Sequence, residues 1–182
     1  MHELDPAYAR KTVRSAAALP FASKISERED PDRIAAPMAE AKFYAALRAR
    51  TPLAIVSSTE VARALAAAGL SARMQKFYEN WVSDQTDVDE EFVRQAAARL
   101  KVDTLIAGGV DVWDQKVEAK ETRARTRVGL VIGFFDGATG KHLWQGRDEN
   151  FKDGTRGAPP DYSAILDLVV EALASAFPAG AP

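Results

Sequence analysis

The chain has 182 residues, 47% hydrophobic and 27% charged, which is the composition of a globular domain long enough to bury a core. Its net charge of −2 supplies no general attraction for nucleic acid or an anionic membrane surface. The absence of cysteine excludes disulfides, thiol nucleophiles and thiolate metal sites. No apolar run approaches the roughly 20 residues of a spanning helix, and no signal-peptide pattern is recognisable.

The first third of the chain is predicted to contain a tail, a strand and a helix. We expect flexible tails at residues 1–11 and 179–182, on either side of a single domain over 12–178. The apolar stretch Val13–Phe21 predicts a first strand, which Pro20 ends because proline cannot donate to a ladder. A helix is predicted from about Pro37 to Arg50, since proline fits a first helical turn.

The next segments are predicted to alternate between strand and helix. Pro52–Val56 is a short apolar strand, and Ser57 with Glu60 forms the capping box that opens a helix. Residues 70–85 predict another helical segment, and a further helix is expected to open at Thr86-Asp87.

The last third predicts three strands and a helix. The segments are Thr104–Trp113, Thr122–Phe135 and Lys141–Phe151 as strands and Asp161–Phe177 as a helix. The predicted fold class is α/β (α+β): a two-layer sandwich whose mixed sheet has a C-terminal antiparallel hairpin, with helices packed mainly on one face.

A glycine-rich stretch near residue 137 raises the question of a phosphate-binding loop. A P-loop requires G-x-x-x-x-G-K-[ST], but Phe135 stands at the first glycine and His142 at the hydroxyl. Asp136, Gly137 and Gly140 favour turns, and apolar residues flank them on both sides. The stretch therefore predicts a β-hairpin.

Three arginines share one face of the predicted strand at 122–135. Arg123, Arg125 and Arg127 alternate with residues of the apolar face. They allow an anion- or nucleic-acid-binding interpretation, or a solvated face balanced by acidic residues. We favour the solvated face, because the chain is acidic and no aromatic residue interleaves the arginines. The acidic residues are Asp111, Asp114, Glu118 and Glu121, and Asp111 is expected to pair with one of the arginines.

Aromatic side chains offer a second candidate surface. Phe77, Tyr78 and Trp81 either form a partner-binding patch or pack a helix onto the sheet, and their helical spacing favours packing. Strand parity places Trp113 outward, where it is available for an intersheet or oligomer contact. The candidate partner-binding residues are therefore Phe77, Tyr78, Trp81, Trp113, Arg123, Arg125 and Arg127.

The sequence predicts no catalytic, metal or cofactor site. His142 is expected at the surface beside the hairpin turn, and no serine-nucleophile elbow accompanies it. The acidic run at 87–91 is typical of a helix start and lacks the spacing of a calcium loop. An alternative remains open: a cytosolic ligand-binding or hydrolytic domain that uses the carboxylates of Asp111 and Asp114.

Three short motifs resemble one group of bacterial proteins. They are ALPFAS at 18–23, ARLKVDTLIAGGV at 98–110 and FFDGATGKHLWQG at 134–146. In this order they resemble the opening strand, the helix-to-strand passage and the late hairpin of envelope lipoprotein domains of the CsgG, LpoB and TolB amino-terminal type. Lys101 departs from the pattern, since glycine is usual there, and the pore-forming hairpins of CsgG have no counterpart here.

The resemblance implies a non-enzymatic accessory domain of the bacterial periplasm. It implies an envelope protein as the partner, still to be identified, and a lipid anchor outside the given sequence as the link to the membrane. Assembly with copies of itself is a further option, whereas nucleic acid and cofactors are not expected.

Overall fold

The computed structural model describes residues 2–4, 13–82, 87–117 and 123–178. The strands are β1 (His2–Leu4), β2 (Ser15–Ala18), β3 (Ala22–Ser23), β4 (Ala54–Val56), β5 (Thr104–Val117), β6 (Arg123–Asp136) and β7 (His142–Thr155). The helices are α1 (Ala35–Arg50), α2 (Ser58–Ala67), α3 (Ser71–Trp81), α4 (Glu90–Leu100) and α5 (Tyr162–Ala176). None of the described helices combines the length and apolar character needed to cross a membrane.

The strands form one mixed sheet in the order β1-β7-β6-β5-β2-β4, with β3 also paired to β5. β5, β6 and β7 are joined as antiparallel neighbours, and each is 14 residues long. β2 and β3 run parallel to β5, and β4 runs parallel to β2. The mixed α/β sandwich and its antiparallel hairpin are confirmed, and β1 adds to β7 where the sequence predicts a loose tail.

Helices cover both faces of the sheet, which differs from the expected packing mainly on one face. α1 and α5 enclose one core with β6 residues such as Leu130 and Ile132. α2, α3 and α4 enclose a second core with Val131 and Phe135. Neighbouring residues of β6 point to opposite faces of the sheet. A run of consecutive apolar residues therefore requires helices on both faces to bury it.

The Leu-Pro-Phe segment after β2 is held by contacts with α1 and β5. The Phe21 ring lies on Gly108, where an added Cβ would come within 2.1 Å of the ring. The Tyr44 hydroxyl lies 3.1 Å from the carbonyl oxygen of Leu19 and 3.2 Å from that of Ile106. A glycine in β5 is therefore required for close packing of the ring.

Asp103 connects the start of β2 to the start of β5. Its Oδ2 accepts hydrogen bonds of 3.0 Å from the backbone N–H groups of Arg14 and Ser15 and from the Ser15 hydroxyl. The backbone N–H of Asp103 donates in return to the Ser15 hydroxyl oxygen. The aspartate of the helix-to-strand motif thus aligns two parallel strands that are distant in the sequence.

Lys101 ends α4 in a left-handed conformation, with a φ of 55°. This region costs a side-chain-bearing residue roughly 1–2 kcal/mol relative to right-handed backbone, whereas glycine enters it freely. The resembled family usually carries glycine at this position, and the left-handed backbone explains why glycine is favoured there. Lys101 adopts the same backbone geometry at a cost in stability.

We predict that Lys101→Gly raises the free energy of unfolding by about 1 kcal/mol, because it removes this backbone penalty. Urea unfolding followed by circular dichroism measures the change. Lys101→Ala is the control, since alanine keeps Cβ and should not stabilise the chain. An equal gain from both variants would show that loss of the lysine side chain, and not relief of the backbone, is responsible.

Candidate functional site

The outer ends of β5, β6 and β7 carry a face rich in charged side chains. Strand parity places this face on the same side of the sheet as Val131, which packs against α2–α4. We call it the charged face and define it by Asp111, Asp114, Lys116, Arg123, Arg125, Arg127, Arg147, Glu149 and Asp153. It contains the three predicted arginines, so alternation along β6 identified its central strand correctly.

Arg125 is held by two partners on β7. Its Nε and Nη2 donate to the two carboxylate oxygens of Asp153 at 2.7 and 3.0 Å. Its guanidinium carbon lies 4.4 Å from the centroid of the Phe151 ring. The bidentate hydrogen bonding lowers the pKa of Asp153, so the pair is charged at neutral pH.

Arg127 and Arg147 extend this pairing into an alternating network. Arg127 Nη2 donates to Glu149 Oε1 at 2.5 Å, and its Nη1 lies 3.9 Å from Asp114 Oδ2. Arg147 Nε donates to Asp111 Oδ2 at 2.5 Å, and its Nη2 lies 3.4 Å from Glu149 Oε2. Opposite charges therefore alternate across all three strands.

Gly129 leaves the space in which Asp111 meets Arg147. A Cβ at Gly129 would lie 2.7 Å from Asp111 Oδ1, so the two side chains approach above a strand that has no side chain there. Asp111 Oδ1 is buried without a hydrogen-bond partner among the described residues. The predicted pairing of Asp111 with an arginine of β6 is corrected, because the glycine opens a path to Arg147 on β7.

The solvated-face interpretation of the arginines has structural support. Asp114 is one of the expected balancing carboxylates, while Glu118 and Glu121 lie outside the described residues. Sequence reasoning missed Glu149 because it did not carry strand parity across the hairpin, and it missed Asp153 because it also ended β7 at Phe151. Carrying the alternation across the hairpin finds Glu149, and extending it to Thr155 also finds Asp153. The expectation of no nucleic-acid binding stays a prediction.

The aromatic residues of α3 are buried in the core. Phe77, Tyr78 and Trp81 are 1%, 8% and 0% exposed, and the rings of Phe77 and Trp81 stack at 5.9 Å. Their predicted role as a partner-binding patch conflicts with this burial, since α3 packs them between the sheet and α4. Helix packing, the favoured alternative, describes their position.

Trp113 lies on the opposite face from the one predicted. A β-bulge at Asp111 shifts the pairing of β5 with β6 between Val110 and Val112. The extra residue reverses the parity that follows, so Trp113 joins the core beneath α5 and is 2% exposed. Its ring stacks on Tyr162 with centroids 4.4 Å apart, which leaves it unavailable for the proposed outward contact.

His142 is half-buried, which differs from the prediction of a surface histidine. Trp81 Nε1 donates to His142 Nε2 at 3.2 Å, and the imidazole lies 4.5 Å from the Phe135 ring. Burial lowers its pKa to about 4, so the neutral form that accepts this hydrogen bond is present at pH 7.

The groups of the hydrolytic alternative do not converge. Asp111 lies beside Gly129, and His142 lies beside Phe135. At the rise of a β-strand, these two positions of β6 are roughly 20 Å apart. Asp114 is paired with Lys116 and Arg127. Among the described residues, no three acidic or histidine side chains group as metal ligands. Asp89 of the acidic run caps α4 by accepting from Phe92 N–H at 2.9 Å, as expected of helix-start chemistry.

Comparison with known proteins identifies similar folds. No protein-family model matches the sequence, and no similar sequence is found among curated proteins. Two crystal forms of the PelC dodecamer from Paraburkholderia phytofirmans are similar, with TM-scores of 0.57 and 0.56 at 16% identity. The alignments cover 97% of this chain and 96% or 94% of the PelC chain, so the whole fold is shared.

Two further likenesses are weaker, with TM-scores below 0.5. Lipoprotein GNA1162 from Neisseria meningitidis has a TM-score of 0.49 at 15% identity, over 89% of this chain and 96% of that chain. The LpoB C-terminal domain from Salmonella enterica has a TM-score of 0.46 at 12% identity, over 77% and 84%. One of these neighbours is a bacterial lipoprotein, whereas a specific likeness to CsgG or TolB is not shown.

We predict that His142→Gln flattens the dependence of stability on pH. The folded pKa of His142 is about 4 and the ordinary value is 6.5, so its stabilising contribution is complete above pH 6.5 and falls as the pH drops toward 4. The native chain should lose about 2 kcal/mol of unfolding free energy from this group between pH 7 and pH 5. Glutamine keeps an acceptor for Trp81 and does not titrate.

Urea unfolding of both proteins at pH 7 and pH 5 measures this difference, and the range lies above the titration of most carboxylates. His2→Gln, which removes the other histidine of the chain, is the matched control. If the native chain and His142→Gln lose the same free energy over this range, the neutral buried histidine is not the cause.

Proposed function

We propose that the chain is a non-enzymatic accessory domain of the bacterial envelope that binds a protein partner and assembles with copies of itself. In its native form it would be periplasmic and attached to the membrane through a lipid anchor outside this sequence. The observation that carries the proposal is the charged face. Its acidic groups pair with basic groups across the three strands and are not grouped around one reacting position.

An ordered array of paired charges is suited to protein recognition. The side chains of Arg125 and Arg127 are already held by carboxylates, so a partner need not immobilise them. Complementary charges on a partner would contribute orientation and specificity more than affinity. The side chains of Arg125 and Asp153 remain 51% exposed, so the pair is accessible to such a partner.

Two further observations support the envelope and assembly parts of the proposal. The three motifs around Phe21, Asp103 and Trp144 resemble those of envelope lipoprotein domains, and in this structure they hold together β2, β5 and the β6–β7 hairpin. PelC, whose fold this chain shares along nearly its whole length, forms a dodecamer, which favours self-association of this chain. A likeness of fold does not identify the partner.

We predict that reversing two charges of the charged face weakens partner capture. Immobilised native chain is compared with the double variant Arg125→Glu/Arg127→Glu in membrane-protein extracts of a bacterium that encodes the chain. A partner that docks on this face should be retained by the native chain and reduced roughly tenfold or more by the double variant, because its complementary charges then meet like charges.

The matched control is Arg48→Glu/Arg63→Glu, which changes the net charge equally on exposed positions of α1 and α2. It should capture the partner as the native chain does, and thermal unfolding verifies that both variants fold. Equal capture by all three proteins would contradict a role for the charged face. Capture lost equally in both variants would indicate a general effect of charge.

A further inference from the structure

A surface cavity of about 300 Å³ lies over the outer ends of β5, β6 and β7, within the charged face. Its volume is at the lower limit of the roughly 300–1,000 Å³ of ligand-binding clefts, which suits a small chemical group. Four of its lining side chains are cationic and two are acidic, so the lining is net positive although the chain carries −2. These charged lining residues are Lys116, Arg123, Arg125, Arg127, Asp114 and Asp153.

The strand register brings two of these cations together. Lys116 on β5 lies directly opposite Arg125 on β6, and both side chains belong to the charged face. Like charges directly opposite one another destabilise a sheet. This pair is an exception to the alternation of opposite charges, and local conflicts of this kind occur mainly at functional sites. The register therefore favours an anionic group close to these side chains.

Two of the four cations retain the capacity to bind a further acidic group. Arg125 and Arg127 are already held by carboxylates of β7. Lys116 Nζ lies 3.2 Å from Asp114 Oδ2, but the lysine side chain remains 71% exposed. Arg123 forms no ion pair with another described residue. An added carboxylate would therefore be bound mainly by Lys116 and Arg123.

Lys116 and Arg123 lie close enough to share one carboxylate. Arg123 precedes Arg125 by two residues on β6, so Arg123 and Lys116 are diagonal neighbours across the strands. Residues in such positions are about 7–8 Å apart, which is within reach of long side chains. Lysine and arginine are both hydrogen-bond donors, and each carboxylate oxygen is an acceptor. One carboxylate can therefore accept hydrogen bonds from both residues.

We propose that the cavity binds a carboxylate of an acidic segment on the protein partner, with Lys116 and Arg123 as its donors. The proposal rests on the proposed function and specifies the chemistry of the partner at the charged face. The bound carboxylate would also reduce the repulsion between Lys116 and Arg125. Because Lys116 is mostly exposed, the contact would be weak and screened by salt. It would contribute orientation and specificity more than affinity.

An exposed aromatic side chain adjoins the cavity. Phe151 is 51% exposed, and its ring centroid lies 4.4 Å from the guanidinium carbon of Arg125, which lines the cavity. Aromatic residues and arginine are enriched among the residues that supply most of the affinity of protein interfaces. An acidic segment with an apolar residue beside its carboxylate would therefore contact both the cavity and the Phe151 ring.

The same cavity is poorly suited to a phosphate-rich partner. Nucleic acid carries one negative charge per about 1.7 Å of duplex, and its binding draws on many cations that each neutralise a phosphate. In this cavity the carboxylates of Asp114 and Asp153 lie among the cations and would repel such a backbone. A peptide with one or two carboxylates matches the small net positive charge of the lining better.

Titration with a short peptide tests the proposal. The probe is acetyl-Gly-Glu-Glu-Leu-Gly-amide, and the measurement is the shift of backbone amide NMR signals of the ¹⁵N-labelled chain. We expect a roughly millimolar Kd that rises with added salt, and the largest shifts at the residues of the cavity. Lys116→Gln/Arg123→Gln should weaken binding roughly fivefold or more. The matched control Arg63→Gln/Lys76→Gln removes two exposed cations of α2 and α3 and should bind the peptide as the native chain does.

Further outcomes separate the alternatives. Equal binding of a peptide with glutamine in place of both glutamates would overturn the role of the carboxylate. Inorganic phosphate that binds the same residues as tightly as the peptide would overturn the assignment to a protein segment. Binding only to Glu118→Gln/Glu121→Gln would show that the chain's own carboxylates compete for the cavity and would overturn a partner site. If no protein binds the peptide but partner capture still depends on Arg125 and Arg127, the cavity proposal is overturned and the proposed function stands.

Discussion

β6 must bury both of its faces along one half and only one face along the other, and the rest of the architecture depends on this requirement. From Val128 to Phe135 every position of the strand is buried. From Arg123 to Arg127, arginine alternates with residues facing the α1–α5 core. One half therefore requires helices on both sides, whereas the other leaves one side available to solvent.

The remaining elements hold that arrangement in place. α1 and α5 pack on one side of the sheet and α2–α4 on the other. Asp103 ties β2 to β5 through part-buried hydrogen bonds, and Tyr44 ties the segment after β2 to β5 through buried ones. Since the helices cover only the apolar half of one face, the ends of β5–β7 extend beyond them and carry the charged face.

Features that depend on local spacing were predictable from the sequence. The alternation in β6 identifies its two faces, and the capping box of Ser57 and Glu60 forms as expected. The position of Trp113 was not predictable, because a one-residue bulge leaves no clear local signature and reverses every later side chain. The helical spacing of the α3 aromatic residues favoured their packing in the core, whereas the position of His142 depends on how distant elements pack, which neither residue spacing nor composition specifies.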